Sequence, residues 1–76
     1  MDYLAKVTIE GVVYEAHVDV REYDGEIEAD LNTSLIYIND EVHLEADVSG
    51  DVIDELLDEA YDMYRDDRRA SDEGTS

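Results

Sequence analysis

Two histidines and 23 carboxylates are the side chains in this 76-residue chain from which acid–base or metal chemistry would have to be built, because cysteine is absent. A zinc site needs three or four ligands converging at close range. His17 has Glu15 and Asp19 two residues to either side, and His43 has Glu41 and Glu45. That period of two reads as the solvent-facing side of two strands. Neither histidine lies opposite another ligand-type side chain in the pairing derived below. A calcium loop fails as well: placing Gly25 at the required glycine puts Val20 first and Leu31 last, and neither offers a side-chain oxygen. There is no glycine-rich phosphate loop, no Walker motif and no basic aromatic patch. The residues therefore predict a protein that is not an enzyme and has no resident metal or cofactor. Divalent cations would gather only as diffuse counter-ions.

What chemistry remains is that of charge. The 23 acidic residues face 5 basic ones, Lys6 being the only lysine, for a formal net charge of −18. Such a surface repels nucleic acid and anionic membranes, and attracts and steers basic proteins, above all those whose grooves normally hold DNA or RNA. The acid is also patterned. In "DELLDEAYDMYRDD", residues 54–67, Asp54, Asp58, Asp62 and Asp66 recur at i, i+4. On a helix each such like-charge step costs roughly 0.2–0.5 kcal/mol. The same spacing places a carboxylate about every 6 Å along the helix axis. Neighbouring phosphates on one strand are comparably spaced, so a groove lined with Arg and Lys would accept the row and release counter-ions, as it does with DNA. Glu55 and Glu59 stand beside the row and Asp51 at its start. Glu26, Glu28 and Asp30 would extend the negative surface from a sheet.

The elements that position these residues follow from turns and alternation. With "EG" at 10–11 as a two-residue loop, Ile9 faces Val12, Val7 faces Tyr14, Ala5 faces Ala16 and Tyr3 faces Val18, all on one side. Lys6 then faces Glu15, and Thr8 faces Val13, on the other. With "DG" at 24–25 as the second loop, Val20 faces Ala29 and Val18 faces Leu31 on the apolar side, while Arg21 faces Glu28 on the polar side. Asp19 opposite Asp30 is an unfavourable pair. Only Glu22, opposite Ile27, breaks the pattern. "LIYI" at 35–38 is apolar on both sides; with Ile36 and Ile38 inward, Leu35 and Tyr37 are left outside as a contact for a partner or a second copy. Val42, Leu44, Ala46 and Val48 alternate with Glu41, His43, Glu45 and Asp47 as a further strand whose polar members face solvent. Turns near "NTS" and "NDE" join these strands.

After "SGD" the period becomes helical, with Val52, Ile53, Leu56, Leu57, Ala60, Tyr61 and Tyr64 as one apolar stripe. Asp51 is the expected N-cap, and Arg65, Arg68 and Arg69 suit the end of the helix. The predicted fold is α+β: an antiparallel meander of four to five strands with one C-terminal amphipathic helix on one face. Residues 1–67 form the expected single domain, and 68–76, "RRASDEGTS", a mobile polar tail. "RRAS" and "NTS" match short modification patterns that occur commonly by chance. Of the six tyrosines, Tyr3, Tyr14, Tyr61 and Tyr64 fall on core faces, whereas Tyr23 and Tyr37 are interface candidates. The start "MDYLAKVTIEG" has no apolar run suited to a signal or membrane span, which predicts a cytoplasmic protein.

In size, charge and lack of catalytic motifs the chain resembles the small acidic DNA-mimic inhibitors that phages make against restriction and CRISPR machinery. The resemblance rests on composition and on the "DELLDEAYDMYRDD" helix. It implies an inhibitor that fills a nucleic-acid groove without chemistry, acting in the host cytoplasm on a defence protein or another nucleic-acid-binding protein. Two other readings compete. Acid without lysine also suits a high-salt cytoplasm, where it would be spread over all exposed surface. An adaptor would dock through Leu35 and Tyr37 and use the charge for solubility.

Overall fold

The computed structural model describes the backbone of residues 1–74 and the side chains of residues 1–69. Five strands are followed by one helix: β1 (Asp2–Ile9), β2 (Val12–Tyr23), β3 (Glu26–Leu31), β4 (Leu35–Ile38), β5 (Glu41–Leu44) and α1 (Gly50–Gly74). A 3-10 turn, Glu45–Asp47, joins sheet to helix. This is the α+β architecture expected, a five-stranded antiparallel sheet with a helix on one face. Among the described residues no helix is long and apolar enough to cross a membrane.

The two hairpins form in the predicted register. Ile9 faces Val12 and Ala5 faces Ala16 across β1 and β2. Val20 faces Ala29 and Val18 faces Leu31 across β2 and β3. Both loops put their two residues at positive φ: Glu10 and Gly11 at 51° and 81°, Asp24 and Gly25 at 51° and 84°. That is the turn whose twist matches the flanking strands. A third such turn, Asn39 and Asp40 at 49° and 70°, joins β4 to β5 without a glycine. Asn and Asp adopt this conformation more readily than other L residues.

β2 organises the sheet. Its C-terminal half pairs with β3 and its N-terminal half with β4, both on the same edge, while β1 holds the other edge. Val18 faces Leu31 but Tyr14 faces Ile38, so four residues on β2 correspond to seven along β3 and β4. Three residues are therefore extra, in the "NTS" stretch. An odd insertion reverses which alternate residues point inward. Hence Leu31 and Ala29 on β3, and Ile36 and Ile38 on β4, all reach the helix side.

The two-residue Asn39–Asp40 loop overturns the inward orientation predicted for the apolar residues of β5. Ile36 faces His43 and Ile38 faces Glu41, so His43 and Glu41 share the helix side. Val42 and Leu44 point the other way and are 57% and 55% exposed. The strand also stops at Leu44, before Ala46 and Val48. Where α1 packs, it covers β1, β2 and β3.

The buried core is Ala5, Ala16, Val18, Val20 and Ile36 from the sheet with Val52, Leu56 and Ala60 from the helix. The facing pair Ala5 and Ala16 is fully buried in one core cluster with Leu56 of the helix, and small side chains there let the helix approach the sheet. Two details of α1 differ from expectation. The backbone N–H groups of Val52 and Ile53 donate to the carbonyl of Ser49, which places Asp51 inside the first turn and not at the cap. The helix also runs past residue 67 to Gly74. Residues 68–73 of the expected tail contain neither Gly nor Pro and have Arg68 and Asp72, and Arg69 and Glu73, four apart. With no helix breaker before Gly74, nothing in that stretch ends the helix at residue 67. Residues 75 and 76 lie outside the described residues.

Candidate functional site: a carboxylate ridge on the helix

Burying Val52, Leu56 and Ala60 fixes the rotation of α1, and with it the direction of every acidic side chain on the helix. Asp54, Asp58, Asp62 and Asp66 come out along the side away from the sheet, all exposed. Twelve residues separate the first from the last, about 18 Å of helix. Asp51 and Glu55 are exposed beside the row, and Glu59 is half-buried at its flank. Among the described residues none of the four row carboxylates takes part in an ion pair. Cations follow the row only at its end, Arg65 three residues after Asp62 and Arg69 three after Asp66; the Arg65 guanidinium lies 5.7 Å from the Tyr61 ring centroid, and Arg68 pairs with Glu22.

Glu22 is the residue that broke the strand pattern, and the helix explains it. Its carboxylate sits on the apolar side at the end of β2, where it accepts a hydrogen bond from the Tyr64 hydroxyl at 3.3 Å as well as the bond from Arg68. Tyr64 stacks edge-on against Tyr3, centroids 6.4 Å apart, and the Tyr3 hydroxyl donates to Asp67 at 3.1 Å. These contacts pin the second half of α1 to the sheet and line an open depression with Met1. The Arg68 hydrogen bond holds the Glu22 carboxyl below its ordinary range, and partial burial with the Asp67 carboxylate raises the Tyr3 hydroxyl. A lowered folded-state pKa means stability that is present above the unfolded value, about 4.3, and lost as pH falls through the folded one. Glu22→Gln should therefore unfold at lower temperature than the parent near neutral pH, and the gap should close on acidification below about pH 4. Melting curves of the two proteins across that range check it; a gap independent of pH would mean the charge of Glu22 contributes nothing.

The sheet carboxylates lie elsewhere. In the observed register Glu26, Glu28 and Asp30 alternate with the helix-facing Ile27, Ala29 and Leu31, so they are exposed on the sheet face opposite α1. They do not join the helix row into one surface, which corrects the expectation that they would extend it. Asp19 does face Asp30, and Arg21 Nε lies 3.0 Å from an Asp19 carboxylate oxygen. Tyr23 is 74% exposed at the end of β2, and Leu35 and Tyr37 lie on the outer face with Val42 and Leu44. The outward turn of Val42 and Leu44 follows from the two-residue Asn39–Asp40 loop, which sets Glu41 opposite the inward Ile38 and Val42 opposite the outward Tyr37.

His17 Nδ1 is 3.4 Å from Asp2 and His43 Nε2 is 3.7 Å from Glu41, both part-exposed. His43 lies on the helix side, opposite Ile36, not on the predicted outer face. Among the described residues no group of three or more His, Asp or Glu is arranged to hold a metal ion.

The repulsion along α1 has a measurable cost. Three i, i+4 steps at 0.2–0.5 kcal/mol amount to about 1 kcal/mol, which salt screens. Raising NaCl from about 0.01 M to about 0.15 M shortens the screening length from about 30 Å to about 8 Å, which relieves about half of the repulsion between carboxylates about 6 Å apart, and Tm should rise by about 2–4 °C from the row alone. A flat Tm would mean that the row costs nothing. No family model, curated protein or solved structure matches the chain.

Proposed function

We propose that the protein is a non-catalytic acidic inhibitor that occupies the basic nucleic-acid groove of a target protein, with α1 standing in for a phosphate backbone. The observation that carries this reading is the exposed row Asp54, Asp58, Asp62 and Asp66, about 18 Å long and without an ion-pair partner among the described residues. A helix that needed only solubility would gain stability by interleaving Lys with Glu at i, i+4. This one gives up about 1 kcal/mol instead, and a groove lined with Arg and Lys recovers it by neutralising the row and releasing counter-ions. The target class is a host defence protein of the restriction or CRISPR kind, or another nucleic-acid-binding protein or complex, met in the cytoplasm of a phage-infected host. The chain itself binds neither nucleic acid nor membrane, because its charge repels both.

Affinity capture from host lysate at about 0.15 M salt, with and without excess duplex DNA, tests the reading. Retention of a nucleic-acid-binding protein that the duplex displaces is the expected result. A retained partner indifferent to the duplex would overturn it.

A further inference from the structure

The sheet face opposite α1 has two unlike halves. At the β3 end it carries Asp19, Glu28 and Asp30, with Asp2 alongside on β1; Arg21, opposite Glu28, and the N-terminal amine both pair with Asp19, which leaves Glu28 and Asp30 as the carboxylates without an ion pair among the described residues. At the other end Leu35 faces Leu44 and Tyr37 faces Val42. Leu35, Val42 and Leu44 are 38%, 57% and 55% exposed. Single exposed apolar residues are ordinary, but four grouped on two paired strands make a patch. Against eight buried apolar residues among the described ones, that is a large apolar area left in water.

The geometry points to a second docking surface here, for a partner-protein segment whose apolar stripe is flanked by lysine or arginine. The stripe covers Leu35, Tyr37, Val42 and Leu44, and the basic residues meet Glu28 and Asp30 at the acidic end of the same face. Charge complementarity selects this occupant. A second copy of the chain would bring another −18 to the contact. It would also need roughly 800 Å² per partner, whereas the molecule's broad side is about 43 by 25 Å and the apolar patch fills only part of it. An anionic lipid surface meets the same repulsion. The patch lies across the sheet from the carboxylate ridge, so this surface does not depend on the proposed inhibitor function and the two can fail separately.

The test uses isotope-labelled full-length protein and two synthetic helical peptides at about 0.15 M salt, followed by NMR. One peptide carries lysines with leucines at i, i+3 and i+4; the other keeps the lysines and replaces leucine by serine. The leucine peptide should shift signals of Leu35, Tyr37, Val42 and Leu44, and the serine peptide should not. Leu44→Asp, at an exposed position, should weaken the leucine peptide by about tenfold or more, while Asp58→Lys leaves it unchanged. Equal binding of both peptides, shifts confined to α1, or no binding of either would each overturn the proposal. So would a concentration-dependent dimer closing over the patch without peptide.

Discussion

Replacing Asp54, Asp58 and Asp62 together by lysine should abolish capture of the basic partner proposed for α1. The change is two charge units at each of three positions, taking the formal −18 to −12. At about 1 kcal/mol per lost contact the three sites amount to about 100-fold in affinity, before the new repulsion from the partner's own cations is added. The single change Asp58→Lys separates binding from stability. It turns the repulsive steps to Asp54 and Asp62 into attractive ones, so at low salt Tm rises by several degrees while binding weakens. A row kept only for solvation would gain stability and lose nothing. Capture yield and melting curves of the same preparations give both numbers, and unchanged capture by the triple variant would remove α1 from the interface.

The second large effect is on the fold. Leu56 is fully buried between α1 and the sheet, so Leu56→Ala removes side-chain volume at the centre of a small core. Changes of this kind cost about 2–5 kcal/mol. At 0.05–0.15 kcal/mol per residue, a chain of this length holds about 4–11 kcal/mol in all. Tm should fall by about 10 °C or more, and in low salt the variant approaches the point at which it no longer folds. Leu44→Asp, on the outer face, should leave Tm within a few degrees of the parent. Thermal melts followed by helix signal compare the two; equal losses would mean that the packing side of the sheet is misassigned.

The contrast between Leu56 and Leu44 marks how far the sequence can be read. The β1–β2 and β2–β3 registers were legible because "EG" and "DG" fix two-residue loops, and because alternation on both strands agrees with them. The apolar stripe Val52, Leu56, Ala60 was legible for the same reason at helical period, and with it the outward direction of Asp54, Asp58 and Asp62. From Asn32 onward that agreement fails. "LIYI" is apolar at every position, so alternation alone does not orient β4, and the two-residue Asn39–Asp40 loop, which lacks the glycine that marks the other two, sets Val42 opposite the outward Tyr37. Val42 and Leu44 look like core residues to any reading that counts only period two.

Glu22 shows a different kind of illegibility. Opposite Ile27 on an apolar face it reads as an error of pattern, and it becomes intelligible only when Tyr64 and Arg68 arrive from a helix some 40 residues later. The end of α1 was hidden because residues 66–73 lack the apolar stripe on which a helix is recognised, although nothing in them stops one before Gly74. In the candidate site, each carboxylate of the ridge could be named in advance. Glu26, Glu28 and Asp30 were legible as the polar side of β3; their separation from the ridge was not, since it depends on how the helix crosses the sheet.

In the proposed inhibitor the helix row and a nucleic-acid strand compete for one groove. Fluorescence anisotropy of a labelled duplex bound to the purified partner, titrated with this protein at about 0.15 M salt, measures that competition. Full release of the duplex by the parent protein, and none by the Asp54, Asp58 and Asp62 lysine variant, is the expected result. A ternary complex, in which duplex and protein are held by the partner together, would contradict it.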